Sequence, residues 1–404
     1  MPALAAKVTA RVRERSRVRK PTGLQIALAD RIGQLDPVAW DRVSQGQSFF
    51  FSRDYLKMLH AIAPRNIEPR FALVSQGDEP IAGLCAQVIE VSLGSVGASR
   101  GVLAELKERV TQRVLLCGNA LTFGMHAACF APGADRALAW PGIAEALYRM
   151  RRAEKLAGPM DLVVVKDLHA AHLEESAALG KLSYARVETE PDMVLALDPA
   201  WKSHGDYLSS LVSKYRSDVK TRVVKRFDEA GCTLEAMGLE AARNAALELH
   251  GLYLQVHGAA SLRPYTLTPD YWPALLAAAG DRAAMHVARR NGRLVGFMVT
   301  VKDGETAVAY HIGFDRAVAA EGVPLYLRLL HAAVEQSIRF GGCTRVSFGR
   351  TALEPKARLG CKPQPMFVWA RHRHPLLNQV LRPLLGFIQH AEAPDVDPFK
   401  KPGA

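Results

Sequence analysis

The chain has 404 residues and a net charge of +12 at pH 7, with 49% hydrophobic and 23% charged residues. This length favours two domains of about 150–200 residues each, and the composition is ordinary for a globular protein with two packed cores. No apolar run approaches the roughly 18 residues of a transmembrane helix, which argues against an integral membrane protein. The six cysteines have neither CxxC pairs nor zinc-site spacing, so we expect no disulfide framework and no structural metal.

The basic charge is concentrated at the N-terminus. Residues 1–20 hold seven basic side chains against one acid, Glu14, and the alternating arginines form no single face. We interpret this leader as disordered and solvated; the alternative is an electrostatic tether to anionic lipid or RNA. Because it lacks the apolar centre of a signal peptide, we expect a cytoplasmic protein, with peripheral membrane contact as the second option.

Residues 21–198 have the signals of a mixed α+β unit, with strand-length apolar runs, helix caps and a hairpin turn at Gly77-Asp78. The predicted elements are a strand at 24–28, helices from 36 and 52, two strands within 70–93, a strand at 114–117, a helix from 141, a strand at 162–165, a helix at 172–179 and a strand at 193–197. The uninterrupted apolar run 162–165 indicates a strand that is buried on both faces. Residues 94–112 are interpreted as a loop.

Residues 199–375 repeat this order loosely. The predicted elements are helices at 207–211, 212–229, 240–257 and from 270, strands at 284–290, 294–301 and 306–315, a helix at 324–340 and a strand at 345–348. Asn291-Gly292 is the strongest hairpin signal in the sequence, and Gly341-Gly342 is a stop signal for the long helix. Two copies of one α+β unit therefore explain the length of the chain.

Two segments resemble the GNAT acyltransferases, in the Fem-like and BioF2-like branch: SKYRSDVKTRVVKRFDEAGCTLE (213–235) and SFGRTALEPKARLG (347–360). The resemblance covers about residues 208–373, and the first half matches more loosely, as a degenerate copy. It implies an α+β fold of two GNAT-like mixed-sheet units in tandem. The implied parts are a leader at 1–20, units at 21–198 and 199–375, and an amphipathic stretch and tail at 376–404.

The resemblance implies an N-acyltransferase that moves an acyl group from an acyl-CoA-type donor to a small-molecule amine by direct attack, with no metal. Members of this branch also take aminoacyl groups from tRNA, so an aminoacyl-tRNA-dependent transferase is the alternative enzyme. A third interpretation is a non-catalytic protein whose GNAT scaffold holds an acyl or polyanionic ligand. Transfer needs a bound donor, hydrogen-bond donors for the developing oxyanion and a proton acceptor for the amine.

Three residues at the end of strand 306–315 are candidates for the chemistry. Tyr310 and His311 occupy adjacent strand positions, so regular alternation places one of them in the cleft, where it moves a proton or binds the acyl carbonyl. Asp315, just past the strand, is the runner-up base. The structural alternative for a lone strand histidine is a satisfied core side chain.

Cations dominate the candidate binding residues. Arg350 and Lys356, on the loop after strand 345–348, suit a carboxylate or phosphate. On helix 212–229, apolar residues form one stripe and the cations lie off it, which suits a phosphate-bearing substrate, tRNA or an anionic membrane surface. The candidates on this helix are Lys214, Arg216 and Arg222. A solvated face is the simpler interpretation in each case.

Two further regions border the expected cleft or the donor. Asn119, with Phe123 and His126, follows the strand at 114–117 and is a candidate for the acceptor side. Gly322 and Val323 occupy the place of the GNAT phosphate cradle, but Pro324 removes one amide and a neighbouring glutamate adds negative charge, which weakens a plain acetyl-CoA interpretation. The amphipathic stretch 375–389 is expected to pack on the domain, with peripheral membrane contact as the alternative.

Overall fold

The computed structural model describes residues 20–92, 111–260, 263–378 and 394–400. The basic leader before Lys20 and most of the amphipathic stretch at 375–389 lie outside the described residues. Within the described ranges, none of the helices is both long enough and apolar enough to cross a bilayer.

The predicted strands and helices occur in the predicted order, with further strands at Ala128–Phe130 and Lys362–His372. Residues 21–198 and 199–375 are called the first and second halves. The strands are β1 Gln25–Ala29, β2 Ile67–Gln76, β3 Glu79–Ser92, β4 Thr111–Cys117, β5 Ala128–Phe130, β6 Leu162–His169, β7 Ala185–Ala196, β8 Cys232–Met237, β9 Ala283–Arg290, β10 Arg293–Asp303, β11 Thr306–Phe314, β12 Arg345–Ser347 and β13 Lys362–His372. The helices are α1 Pro37–Ser44, α2 Arg53–Ile62, α3 Arg136–Ala153, α4 Ala171–Glu175, α5 Ala178–Lys181, α6 His204–Ser210, α7 Ser213–Asp218, α8 Arg226–Glu229, α9 Leu239–Asn244, α10 Ala246–His257, α11 Tyr271–Ala279, α12 Arg316–Ala320, α13 Leu325–Arg339 and α14 Leu353–Arg358. Short 3-10 turns occupy Ile32–Gln34, Phe49–Phe51, Glu154–Ala157 and Gly280–Arg282.

The described strands form one continuous mixed sheet in the order β1-β2-β3-β4-β6-β13-β7-β12-β11-β10-β9-β8, with β5 paired to β3. The last strand of each half is exchanged. β7 closes the first half in sequence but pairs with β12 of the second, and β13 pairs with β6 of the first. Backbone hydrogen bonds therefore join the two halves at the middle of the sheet, where β7 and β13 lie side by side.

One face of the sheet carries a core that both halves share. Helices α1 and α2 from the first half and α9, α10 and α11 from the second contribute to it, and α2 packs directly on α11. Its large side chains Trp40, Tyr55, Trp272 and Phe297 have no exposed surface. The opposite face has two separate cores, one around α3 and one around α6 with α13. A binding site on the shared-core face therefore receives residues from both halves.

Helix signals in the sequence were accurate where a polar cap was present. Asp36 accepts from the amide of Val38 and Ser52 from the amide of Tyr55, so α1 and α2 begin where predicted. The helix predicted to start at Pro141 is longer than expected. Its cap is Asp135, which accepts from the amide of Ala137, so Pro141 lies inside α3.

The predicted helix 212–229 runs as α7, a π-helical segment Val219–Lys225, and α8. Val223 and Phe227 bury the apolar stripe, as the spacing predicts. The wider π turns shift the registration of the cations relative to a regular α-helix, and such segments often lie at functional sites.

The strand β11 departs from regular alternation at Tyr310. In the pairing with β10, Val299 opposes His311 and Thr300 opposes Ala309, which leaves Tyr310 as the extra residue of a β-bulge. The rings of Tyr310 and His311 both contact Tyr271, so they point to the same side. The expectation that one of them faces in and the other out is wrong, because a bulge breaks the period of two.

Beyond the bulge, β11 has a free edge. It pairs with its parallel neighbour β12 only through Thr306–Val308, and the two strands then diverge. From Ala309 onward, no described strand pairs with that side of β11. Backbone amides on this edge are therefore available to hydrogen-bond a ligand.

Candidate functional site

A cleft of about 580 Å³ opens between the two halves, on the sheet face that carries the shared core. This volume is typical of a small-molecule site. Strands β7, β11, β12 and β13 form the floor, and the walls come from the loop after β4, the end of β6 and the turn between β10 and β11. The polar lining residues are Gln47, Ser48, His126, His169, Asp192, Asp303, Thr306, Arg345, Ser347 and Gln364.

A histidine and a carboxylate from different halves meet in this cleft. His126 Nε2 lies 3.6 Å from Asp303 Oδ2, and His126 Nδ1 lies 2.8 Å from Thr122 Oγ1. Asp303 is fixed by two donors, the Phe49 amide at 2.6 Å and the Ser48 hydroxyl at 2.8 Å. The gap between imidazole and carboxylate is longer than a hydrogen bond and lets a cationic group approach both.

The electrostatics of this pair suit a neutral base beside an ionised acid. Burial lowers the pKa of His126, although Asp303 acts in the opposite direction. Burial alone would raise the pKa of Asp303, but the His126 imidazole, the Phe49 amide and the Ser48 hydroxyl together hold it below its ordinary value. At pH 7 the imidazole is therefore neutral and the carboxylate charged.

The contact with Thr122 is compatible with either tautomer of His126. The Thr122 hydroxyl lies 2.8 Å from His126 Nδ1 and 3.4 Å from the Asn119 carbonyl, so it can donate to either. When a cationic group occupies the carboxylate of Asp303, the tautomer with its proton on Nδ1 presents an unprotonated Nε2 to the cleft. In that tautomer, Nε2 can accept a proton from an amine.

A second carboxylate, Asp192 on β7, is occupied by the protein itself. Its oxygens accept from the Ser347 hydroxyl at 2.5 Å and from the Gly349 amide at 2.8 Å. Burial raises its pKa, against the opposing effect of these hydrogen bonds. Asp192 therefore holds the exchanged strand β7 against β12 and the loop after it.

Arg350 lies on the loop after β12, as the sequence predicts, whereas Lys356 lies on α14. Lys356 is buried, and its ammonium donates to the carbonyls of Gly349 at 3.1 Å and Arg350 at 2.6 Å. These bonds hold a loop in which Thr351 and Ala352 have left-handed backbones, with φ of 65° and 47°. Burial lowers the pKa of Lys356 to about 8. We correct its assignment from ligand anchor to support of this loop.

Arg350 forms part of a charge cluster across the two halves. It pairs with Asp167, which has no exposed surface and also lies 2.6 Å from Lys166 Nζ. The Lys166 ammonium donates to the carbonyls of Asn119 at 2.9 Å and Thr122 at 2.6 Å, at the base of the loop that carries the cleft histidine. The Arg350 guanidinium is thus engaged by a buried carboxylate, and its position supports the loop rather than an open anion site.

The candidates on β11 are also placed in structural roles. The Tyr310 hydroxyl is buried, 2.6 Å from the hydroxyl of Tyr271 and 3.3 Å from that of Tyr55. Burial raises its pKa well above the ordinary value, so it is a poor proton acceptor. His311 packs on Tyr271, outside the cleft lining, and burial lowers its pKa to about 3. Asp315 caps α12 by accepting from two backbone amides and pairs with Arg293 at 3.0 Å.

Asn119 supports the acceptor loop from below the cleft. Its side chain donates to the Tyr55 hydroxyl at 2.7 Å and accepts from Gln87 at 3.2 Å and from the Leu121 amide at 2.9 Å. Through Tyr55 it is connected to Tyr310, so one buried network joins the loop of the first half to the bulge of the second. Such fully satisfied networks fix geometry.

The cations of helix 212–229 are spread over different surroundings. Lys214 lines a second groove beside Leu353 and Glu354, Arg216 donates to the carbonyl of Leu211, and the exposed Arg222 pairs with Asp218. None of the three lines the cleft between the halves.

The guanidinium of Arg226 lies against the turn at Gly322, a contact that the sequence did not indicate. A Cβ at Gly322 would lie 2.6 Å from Nη2 of Arg226, the first residue of α8. Arg328, on the first turn of α13, packs over Phe227 at 5.7 Å, and its Nε has no partner among the described residues. Burial lowers the pKa of Arg328. Val323, also predicted here, is buried.

The histidines that are buried in neutral form give a pH-dependent stability. Burial lowers the pKa of His311 to about 3 and that of His204 to about 4, below the unfolded value. Because the unfolded chain then binds more protons, stability is lost as pH falls below about 6.5, by roughly 2 kcal/mol per histidine at pH 5. Urea unfolding at pH 7.5 and 5.0 should show this loss. The variant His204→Gln should lose less than wild type between those values, and an equal loss would contradict the assignment.

The sequence pointed to the loop of His126 but not to its partner. Asp303, Asp192 and His169 are not among the residues predicted from the sequence. The sequence held one usable signal, since an Asp-Gly turn beside the strand predicted to carry chemistry places a carboxylate at the sheet end. The residues described include no group of three or more His, Cys, Asp or Glu side chains that would hold a metal ion.

Comparison with known proteins agrees with this architecture. Residues 213–356 match the family model described as "Acetyltransferase (GNAT) domain", inside the range of the resemblance seen in the sequence. No curated protein matches the chain. A tandem GNAT protein from the clavulanic acid biosynthesis pathway is similar in structure, with 14% identity and a TM-score of 0.52, over 87% of this chain and 99% of that one.

Two other solved structures are similar at low identity. A conserved protein of unknown function from Bacteroides thetaiotaomicron has 11% identity and a TM-score of 0.50, over 86% of this chain and 99% of that one. FemX has 11% identity and a TM-score of 0.48, over 81% and 93%. The predicted tandem α+β fold is confirmed. Residues 213–356 are thus similar in sequence to a GNAT domain, and the whole chain is similar in fold to a tandem GNAT protein.

Proposed function

We infer that the protein transfers an acyl group from an acyl-CoA-type donor to a small-molecule amine that enters the cleft between the halves. The observation that carries this inference is the His126–Asp303 pair, in which a neutral imidazole and an ionised carboxylate from different halves lie 3.6 Å apart. A protonated amine binds the carboxylate and passes its proton to Nε2. In this proposal, the pair takes the catalytic roles that the sequence analysis assigns to Tyr310, His311 and Asp315.

The transfer step then needs no covalent enzyme intermediate. The free amine attacks the thioester carbonyl carbon, a C–N bond forms and the C–S bond breaks. The nitrogen's second proton neutralises the leaving thiolate, and the first proton is released from His126 to solvent. The cleft extends to Val308, the last residue of β11 that pairs with β12. Unpaired amides on the free edge beyond it are suited to hydrogen-bond the developing oxyanion.

The donor's phosphates are assigned to the N-terminus of α13. The turn before it offers few amides, because those of Glu321, Gly322 and Leu325 are used by backbone carbonyls and Pro324 has none. The guanidinium of Arg226 lies against this turn and supplies charge that the amides do not. Cations and a helix N-terminus together favour a phosphate.

Replacing Arg226 with glutamine should raise KM for an acyl-CoA about tenfold or more with a smaller change in kcat, because one charge-assisted hydrogen bond is lost. Arg222→Gln is the matched control, one turn away on the same helix. Its side chain is 76% exposed and already paired with Asp218. Steady-state kinetics across acetyl-CoA and longer acyl-CoA thioesters measure the difference. Equal KM values for both variants would exclude this phosphate site.

The direct assay of the function follows thiol release and acylated product by mass spectrometry, with acyl-CoA thioesters and a panel of amines. A parallel reaction contains charged tRNA with and without RNase. RNase-sensitive transfer would establish the aminoacyl-tRNA-dependent alternative. Ligand binding with no product from either donor would leave the scaffold as a binding protein.

A further inference from the structure

The two sides of the cleft carry opposite charges. Asp303 and His126 lie on one side, and Arg345 on β12 lines the same cleft. In the sheet, Asp303 opposes Thr306, and Thr306 opposes Arg345, so the three residues form a row across three strands. Two strand spacings separate the carboxylate residue from the arginine residue at their Cα atoms, about 10 Å.

One hydrogen bond orients the side chain of Arg345 and leaves its other N–H donors for a ligand. Its Nε donates to the Thr306 hydroxyl at 2.7 Å, which draws the side chain along the row towards Asp303. Among the described residues, no carboxylate lies within ion-pair distance of it. The two Nη groups therefore remain available for a planar anion, the partner that guanidinium binds in bidentate fashion.

The other charged groups around the cleft do not compete for this arginine. Asp192 uses its oxygens on Ser347 and Gly349. His169 is partly buried and its pKa is lowered by burial, with the positive charge of Arg345 acting in the same direction. An uncharged imidazole near the guanidinium leaves the anion site open.

We propose that the acceptor is an amino acid or a similar compound that carries a carboxylate next to its reactive amine. This rests on the proposed acyl transfer. The ammonium binds Asp303 and the carboxylate binds Arg345. An α-amino acid carries its ammonium and carboxylate on one carbon, so it can bind both residues of the row from within the cleft.

Other acceptor classes fit this row less well. A polyamine brings a second cation to Arg345, which repels it. An amino sugar or a simple alkylamine leaves the guanidinium without a counter-ion. The row does not specify the side chain of the acceptor, because Asp303 and Arg345 bind the ammonium and carboxylate groups that all amino acids share.

The test compares amino acids with the matching amides and decarboxylated amines. Isothermal titration without any acyl donor measures binding, and acyl transfer from acetyl-CoA measures turnover. We expect the amides and amines to bind at least about tenfold more weakly than the acids. Arg345→Gln should lower kcat/KM for the acids by about tenfold or more and remove the preference for acid over amide, and Arg345→Lys should retain part of it. Arg339→Gln, an exposed arginine paired with Glu335, is the control.

The outcomes separate the two proposals. Amides and amines that are acylated as well as the acids would overturn the carboxylate inference and leave acyl transfer standing. Amino acids that bind in an Arg345-dependent manner without being acylated would support the inference and contradict the proposed function. An equal effect of Arg345→Gln and Arg339→Gln on acid preference would also overturn the assignment of Arg345.

Discussion

Replacing His126 with glutamine is expected to lower kcat/KM for acyl transfer at pH 7 by about 10²–10⁴-fold, the usual contribution of a general base. The glutamine side chain still reaches the Thr122 hydroxyl, but it presents no proton acceptor of suitable pKa to the amine. The ring is buried against Phe50 at 4.6 Å, so the loss of packing should be checked by thermal unfolding. Kinetics with a purified acyl-CoA and an amine acceptor measure the effect.

The pH dependence distinguishes a base from a structural histidine. In the wild type, kcat/KM should fall on the acid side as pH drops through the lowered pKa of His126, because protonation removes the base. In the variant, transfer depends on acceptor that is already deprotonated, so its rate should rise with pH and the deficit should shrink near the pKa of the amine. The exposed His60 gives the control His60→Gln. A deficit that stays constant with pH would identify a merely structural role.

Much of the fold was predictable because its signals are local. The caps at Asp36 and Ser52 and the turn at Asn291-Gly292 act over three or four residues, and the backbone has left-handed φ values of 52° and 79° at that turn. The exchange of β7 and β13 has no such signal. The hydrophobic pattern of a strand specifies which of its faces is buried but not which strand lies beside it.

The site was harder to predict for the same reason. Regular alternation predicts that one of Tyr310 and His311 faces the cleft, but the extra residue in the β11–β10 pairing turns both rings towards Tyr271 in the shared core. Lys356 and Arg350 were selected as exposed cations, but their partners are carbonyls and a carboxylate that the fold brings from distant positions. The sequence shows which side chains can ionise, but their burial and their hydrogen-bond and ion-pair partners determine their roles.

The two halves meet at their functional elements through buried polar groups. The network through Asn119, Tyr55 and Tyr310 joins the loop of His126 to the bulge of β11. The cluster of Lys166, Asp167 and Arg350 joins the same loop to the strand-end loop of the second half. Because the cleft lies at this junction, its geometry depends on the contact between halves rather than on either half alone.

Removing the charge of Asp167 should therefore destabilise the protein strongly. Asp167→Asn keeps the size of the side chain and tolerates the left-handed backbone at this position, where φ is 59°. It leaves the buried Lys166 without its counter-ion, and breaking a buried pair in this way costs about 3–5 kcal/mol. Burial already lowers the pKa of Lys166 well below its ordinary value, so loss of its proton keeps the cost near the lower end of this range. Arg350 is 28% exposed and can recover part of its solvation, so most of the cost falls on Lys166.

Urea unfolding of Asp167→Asn should show a free energy of unfolding lower by about 3 kcal/mol or more, and the double variant Asp167→Asn with Lys166→Met should recover part of that loss, because no unpaired ammonium remains. The control is Glu354→Gln, which breaks an exposed pair with Arg358 and should cost at most about 1 kcal/mol. An equal loss in Asp167→Asn and Glu354→Gln would show that the cluster is solvated and does not hold the halves together. A full loss that Lys166→Met leaves unchanged would assign the effect to Arg350 instead, and to the loop that it anchors across the junction.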